Sequence, residues 1–261
     1  MREARINDVV LKYRIVGEGP PILFVHGLGS DMRGWEFQEK SLSKHFKVIL
    51  IDQRGHGHST GPGMDMISAE VFAADLNAFL EHLEIERVSV IGASMGGLIS
   101  QQFALDYPER IHKLVLIDTG PKITEETIDE VYGWREAQVE GGDEAYFWEA
   151  TRSCYPEEFI QQNKDTIDYL MSRENLLNPE GVLAAGLGLS LFNVEERLHE
   201  IKAPTLIIHG AEDKVFDVAL AQLASSRIPN AKLVLLPGCG HDPGVQMTNE
   251  LNQLLIEFLC K

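Results

Sequence analysis

Four short runs, apolar throughout except for Ser89 and each followed by a stretch of helical periodicity, constrain this chain more than any other feature. They cover residues 22–25, 48–51, 88–91 and 114–117 and recur at intervals of 25 to 40 residues. A run without polar alternation belongs to a strand buried on both faces, as in a parallel sheet covered by helices on each side. Helical patterns fill the gaps over 33–46, 69–83 and 98–107, the last stopped by Pro108. A strand over 9–16 precedes them, closed by a turn at Gly17, Gly19, Pro20 and Pro21. Beyond residue 200 the alternation resumes, with strands over 205–208 and 233–236 and helices near 218–226 and 247–259. Repetition of this length is the signature of βαβ units. The expected fold class is therefore α/β: a mostly parallel central sheet flanked by helices.

Residues 121–200 break the pattern. They contain no buried-strand run, only helical stretches rich in acids and aromatics, among them Trp134, Tyr146, Phe147, Trp148, Tyr155, Phe159, Tyr169 and Phe192. The expected organisation is an α/β core of 1–120 and 201–261 with a helical cap over 121–200. These aromatics either pack the cap's own small core or face a substrate. Trp134, Phe147 and Trp148, with Arg33 from the core, are the candidate substrate-binding residues.

Composition excludes several classes. The chain has 261 residues, 44% of them hydrophobic, enough for a core without staples. Its net charge of −17 argues against nucleic acid or an anionic membrane surface, which need a basic footprint. The three cysteines, Cys154, Cys239 and Cys260, are an odd number without C-x-x-C spacing, which suits a reducing compartment. The opening MREARINDVVLKY lacks the apolar stretch of about 7–15 residues found in a secretory signal. No run approaches the ~20 apolar residues of a membrane span. A cytoplasmic monomer or homodimer without membrane or nucleic-acid partners is expected.

The segment Gly92-Ala93-Ser94-Met95-Gly96-Gly97 stands between a buried strand and a helix. A lone G-x-S-x-G is a weak signal, but in this context it matches a sharp strand-to-helix turn presenting a serine. An N-cap role for Ser94 would explain the helix start, though not the three glycines. A serine nucleophile needs a base, and the base needs an orienting acid. His241 follows the last strand in Pro-Gly-Cys-Gly-His, and His209, ending the strand before, is its rival. His45, His82, His112 and His199 fall on or beside helices, where surface roles are ordinary. Asp213 suits the acid; Glu212, Asp217 and Asp118 are alternatives. Glycines in Val-His-Gly-Leu28-Gly-Ser leave room for converging amides, so Leu28 and Met95 N–H groups are the candidate oxyanion hole. His56 and His58 lack a carboxylate or thiol cluster, so no metal site is expected.

With HGLG, GASMGG, Asp213 and His241, and with Asp52-Gln-Arg-Gly-His-Gly-His-Ser59 matching D-x-R-G-x-G-x-S, the chain resembles the α/β-hydrolase fold family over essentially its whole length. The order Ser, Asp, His is the one that family uses. Within it, the chain resembles the 3-oxoadipate enol-lactonase and carboxylesterase group. Ser94 stands where dehalogenases and epoxide hydrolases carry aspartate and dienelactone hydrolases carry cysteine. Cys239, although near His241, is not at the nucleophile's place. The resemblance implies a structural role for residues 52–59, no cofactor, and cleavage of a small ester or lactone through an acyl-enzyme. A dianionic enol-lactone would call for cations, of which Arg33 and Arg135 are the candidates. The acidity of the whole chain favours neutral esters or lactones instead. Two rival expectations use the same fold: a lyase, synthase or C–C bond hydrolase with the same triad, and a non-catalytic small-molecule receptor.

Overall fold

The computed structural model describes residues 1–61, 63–173 and 176–261. The chain opens with β1 (Arg2–Ile6) and β2 (Val9–Val16), a hairpin that pairs Ile6 with Val9 and Ala4 with Leu11. Asn7 turns it at φ +51°, a conformation that Asn adopts more readily than most residues. Strand β1 is not anticipated by the sequence pattern. Only Ala4 and Ile6 face inward, while charged Arg2, Glu3 and Arg5 face out on the sheet edge.

Next come β3 (Pro21–Val25), a 3-10 turn over Met32–Trp35, α1 (Glu36–Leu42), β4 (Lys47–Asp52), α2 (Ala69–His82), β5 (Val88–Ala93), α3 (Met95–Asp106) and β6 (Ile111–Ile117). The helix expected over 33–46 is shorter because Asp31 caps the 3-10 turn and α1 starts only at Glu36. Conversely α3 starts three residues before the expected 98, on the glycines themselves. His112 lies on β6 with an exposed side chain, not on a helix. After the insert follow β7 (Thr205–Gly210), α8 (Val218–Arg227), β8 (Ala231–Leu236), α9 (Pro243–Gln246) and α10 (Thr248–Cys260), between which the chain completes the sheet.

The eight strands lie in the order β1-β2-β4-β3-β5-β6-β7-β8, with every pair from β4 to β8 parallel. Each central strand is apolar on both faces. On β4, Ile49 and Ile51 join Phe72 and Phe79 of α2 and Phe103 of α3 in one core layer. Val48 and Leu50 face the other layer, with Leu42 of α1 and Leu251, Leu255 and Leu259 of α10. This two-sided burial is the physical reason the strands read as nearly continuous apolar runs.

The insert between β6 and β7 holds α4 (Glu125–Cys154), α5 (Glu157–Gln162), α6 (Lys164–Ser172) and α7 (Pro179–Leu189). Helix α4 breaks at Gly142 (φ +77°), so it is two helical segments across a kink. Trp134, Tyr146, Ala184, Ala185 and Leu189 share the core layer of α2 and α3, which seats the insert over the carboxyl ends of the strands. Among the described residues no helix is long and apolar enough to cross a membrane.

The loop after β4 is held by buried charge. Arg54 Nε donates to Asp75 Oδ2 at 2.8 Å, and its Nη2 donates to Asp8 Oδ1 at 2.7 Å. Removing the guanidinium by Arg54→Met leaves the buried Asp75 carboxylate without a counter-charge, with the Asn7 amide still donating to it at 2.7 Å. The expected loss is about 3–5 kcal/mol in urea unfolding, the cost of breaking a buried pair from one side.

Candidate active site

Ser94 stands at the junction of β5 and α3 with φ +53°, a strained value for a residue carrying a Cβ. Its side chain makes no capping hydrogen bond, so the N-cap alternative does not describe it. The turn is possible because α3 presses closely onto the sheet. A Cβ at Gly92 would come within 2.3 Å of Gly96 O, and one at Gly96 within 2.0 Å of Val25 O. The Ser94 amide donates to Ile117 O at 2.9 Å and Thr119 Oγ1 donates to Ser94 O at 3.0 Å, which holds the strained backbone between β5 and β6.

Three loops at the carboxyl ends of the strands converge here. His241 Nδ1 donates to Asp213 Oδ2 at 2.8 Å, leaving Nε2 to accept from Ser94 Oγ at 2.9 Å. Asp213 is oriented in turn: its Oδ1 accepts from the Val215 and Phe216 amides at 2.8 and 3.0 Å. The Phe216 ring stacks on the imidazole, with centroids 5.9 Å apart and planes 10° from parallel. Of the alternatives, Glu212 is exposed and Asp217 caps α8 through the Ala219 amide. His209 is fully buried and gives its Nε2 proton to Phe216 O at 2.9 Å. Asp118 is the exception, lying buried within 4.8 Å of both Asp213 and His241.

Two partners of the loop that carries His241 have no local sequence signal. The His241 amide donates to Cys154 O at 2.7 Å, at the end of α4. The Tyr155 hydroxyl donates to Asp242 Oδ2, so the insert is fastened to the histidine loop by adjacent residues. Asp242 could be suspected from its place beside His241, whereas Cys154 and Tyr155 reach it only through folding.

Electrostatics follow from this crowding. Burial works against a charge on His241, but Asp213 first, then Asp118 and Asp242, outweigh it and push the imidazole up to about 9. Burial also opposes the Asp213 charge, yet His241 and His209 hold that carboxyl below the ordinary range. For Asp118, burial and the neighbouring Asp213 act together and raise it well above the usual carboxylate value. Burial pushes the Cys239 thiol upward as well, which suits a packed cysteine rather than a reactive one.

Met95 is the first residue of α3, and Gly27 abuts Ser94, where an added Cβ would meet Ser94 Cβ at 3.3 Å. Among the described residues, neither the Leu28 nor the Met95 amide donates to another protein group. Helix starts leave such amides open and lend them partial positive charge. A cavity of about 820 Å³ opens beside Ser94 and His241. Trp134, Phe147, Trp148 and Arg33 all line it. Trp134 gives its indole N–H to Ser153 at 2.9 Å, and Arg33 is held in a two-point pair by Asp31. Arg135 is not part of the wall and bonds Gln138. A further wall residue, Tyr146, sets its hydroxyl against Gly29 of the loop after β3. Among the described residues, Asp118, Asp213 and His241 form a cluster with metal-ligand atoms in reach of one another, but both His241 nitrogens and both Asp213 oxygens are already engaged.

A doubly covered sheet with a strained serine, a histidine and a carboxylate at its carboxyl edge defines a hydrolase-type α/β enzyme. The chain belongs to the α/β-hydrolase fold family, whose model matches residues 20–246. It is 29% identical over 251 residues to 3-oxoadipate enol-lactonase 2 of Acinetobacter baylyi, covering 94% of this chain and 91% of that one. It is 31% identical over 273 residues to the 2-hydroxy-6-oxononadienedioate/2-hydroxy-6-oxononatrienedioate hydrolase of Paraburkholderia xenovorans, covering 97% and 92%. An esterase from Thermogutta terrifontis has a similar structure, with TM-score 0.89 at 27% identity over 99% of this chain and 98% of that one.

The raised imidazole has a pH consequence. Below its ordinary 6.5, the His241 pairing contributes its full stability, and this contribution is lost as pH rises through about 9. Asp213→Asn removes the strongest influence holding the proton. The His241 NMR titration then moves downward, and the stability advantage of the native protein over the variant shrinks between pH 6.5 and about 9.

Proposed function

We propose that this α/β hydrolase is a serine hydrolase that cleaves a small carboxylic ester or lactone through an acyl-enzyme. The observation that carries the reading is the continuous chain Asp213–His241–Ser94, with contacts of 2.8 and 2.9 Å, ending on a serine in strained backbone geometry. Ser94 Oγ attacks the acyl carbon while Nε2 of His241, in the neutral imidazole whose share grows as pH rises toward about 9, takes its proton. The Leu28 and Met95 amides hold the oxyanion, a term worth about 3–4 kcal/mol per donor. As the C–O bond breaks, the imidazolium passes its proton to the leaving alkoxide. Water, deprotonated by the same nitrogen, then releases the acid and restores the serine. Asp213 fixes the tautomer and offsets the imidazolium charge. No step calls for a cofactor.

The substrate is neutral and sits beneath the cap formed by residues 121–200, against Trp134, Phe147 and Trp148. Both arginines of the cavity wall are paired with carboxylates, Arg33 with Asp31 and Arg173 with Glu36. Asp143, Glu144, Asp168 and Asp242 add further acid to that wall. A carboxylate-bearing substrate would have to displace one of these pairs. The likeness to the Paraburkholderia hydrolase keeps C–C cleavage by the same residues as the second reading.

Two measurements test this. Ser94→Ala lowers turnover of p-nitrophenyl acetate by about 10⁴-fold or more, and a fluorophosphonate labels the native protein at Ser94 but not the variant. Full turnover by the variant would sink the mechanism. A p-nitrophenyl ester with a neutral acyl chain is expected to exceed its analogue carrying a terminal carboxylate in kcat/KM by at least about tenfold, corresponding to ~1.4 kcal/mol.

A further inference from the structure

Asp118 is a buried ionisable group beside the site with no part in the acyl transfer. It follows the last residue of β6 with φ +46°, and its amide donates to Ile208 O at 3.0 Å. Its Oδ1 accepts from the Gly210 amide at 2.8 Å, which turns the carboxyl toward the end of β7. The other oxygen, Oδ2, is buried with no partner. A buried acceptor left unpaired costs stability, and a hydrogen bond to Gly210 alone does not call for a second oxygen.

The groups facing it come from every neighbouring element. His209 of β7 presents Nδ1 at 4.0 Å, and that nitrogen is itself without a hydrogen-bond partner. Asp213 comes from the loop after β7, and Cys239, His241 and Asp242 come from the loop after β8. Cys154 approaches from the end of α4. Oxygen atoms of Asp118 and Asp213 and a ring nitrogen of His241 all lie within 4.8 Å of one another.

We propose that Asp118 is a reserve positioning residue for His241: a second carboxyl, poised behind the Asp213–His241 pair, that supplies the negative charge when Asp213 cannot. Two buried carboxyls this close do not both ionise, because each raises the other. With Asp213 charged, Asp118 keeps its proton. Once the charge on residue 213 is removed, the main electrostatic obstacle to ionising Asp118 disappears. Its carboxylate then stands within 4.8 Å of the imidazole. The replacement at 213 has to be alanine, because an asparagine would leave its carbonyl on the Val215 and Phe216 amides and turn its NH2 toward Nδ1. The inference rests on reading Ser94 and His241 as nucleophile and base.

The test is a double-mutant cycle of Asp118→Asn and Asp213→Ala, read by kcat/KM for p-nitrophenyl acetate. Where the acid's charge cannot be replaced, its loss costs about 10⁴-fold. Here Asp213→Ala alone is expected to cost about 10²-fold or less, and the double variant to fall toward the larger loss. Asp118→Asn should therefore cost at least about tenfold more in the Asp213→Ala background than in the native one. Equal costs in the two backgrounds overturn the proposal. Residual activity of Asp213→Ala should rise with pH in step with the release of the Asp118 proton, followed by NMR of its carboxyl carbon, and a merely structural residue would not produce that correspondence. If the double variant does not fold, this correspondence decides alone, and activity that does not follow the Asp118 titration overturns the inference. Failure of the underlying mechanism is recognised separately. If turnover proves independent of Ser94, the His241 NMR titration still answers: the imidazole should bind its proton at least about tenfold more tightly in Asp213→Ala than in the double variant, and equal affinities overturn the proposal.

Discussion

The close approach of α3 to β3 and β5 is the constraint on which the rest of the site depends. No side chain fits at Gly92 or Gly96: the first would strike the Gly96 carbonyl and the Ser100 hydroxyl, the second the backbone of Val25 and His26. That contact drives the chain through a turn so tight that Ser94 takes a positive φ, and the strain is balanced by its hydrogen bonds to β6 and Thr119. The serine is thereby lifted off the sheet edge into the cavity, at the amino end of a helix whose first amides are open. The turn makes both features from one packing decision.

Around that turn the protein manages charge by burial and pairing. One imidazole stands among three acids, Asp213, Asp118 and Asp242, and the acids are differentiated by what they touch. Asp213 accepts two backbone amides and the imidazole, so it carries the charge. Asp242 accepts the Tyr155 hydroxyl and Asp118 accepts one amide; burial raises both. A site of this type separates equal functional groups by environment instead of by residue type. The insert takes part directly, since Cys154 and Tyr155 bond to the histidine loop. Any motion of that end of α4 acts on His241 and Asp242.

Much of this was legible in the amino-acid order. The central strands announced themselves because both faces are buried, and the helices because their apolar stripes repeat. Edge strand β1 did not, since one face is solvated and only Ala4 and Ile6 point inward. The start of α3 was hidden by Gly96 and Gly97, poor helix formers that are required there by contact and not by propensity. Ser94, His241 and Asp213 were visible as residues after strands. The selection of His241 over His209, and of Asp213 over its neighbours, depended on which loop turned which way.

The sequence by itself determined the sheet, its two helical layers and the set of residues delivered to its carboxyl edge. Those follow from hydrophobic periodicity and from glycines placed beside strand ends, which are local properties. Tertiary structure decided which carboxylate meets the imidazole and that Asp118 is drawn in beside it. It also set the pairing of the cavity's arginines and the fastening of the insert to His241 and Asp242 through Cys154 and Tyr155. Such contacts join residues up to 147 positions apart in the chain, as Ser94 and His241 are. Their distances are fixed by how the layers pack, and no short stretch of sequence carries that information.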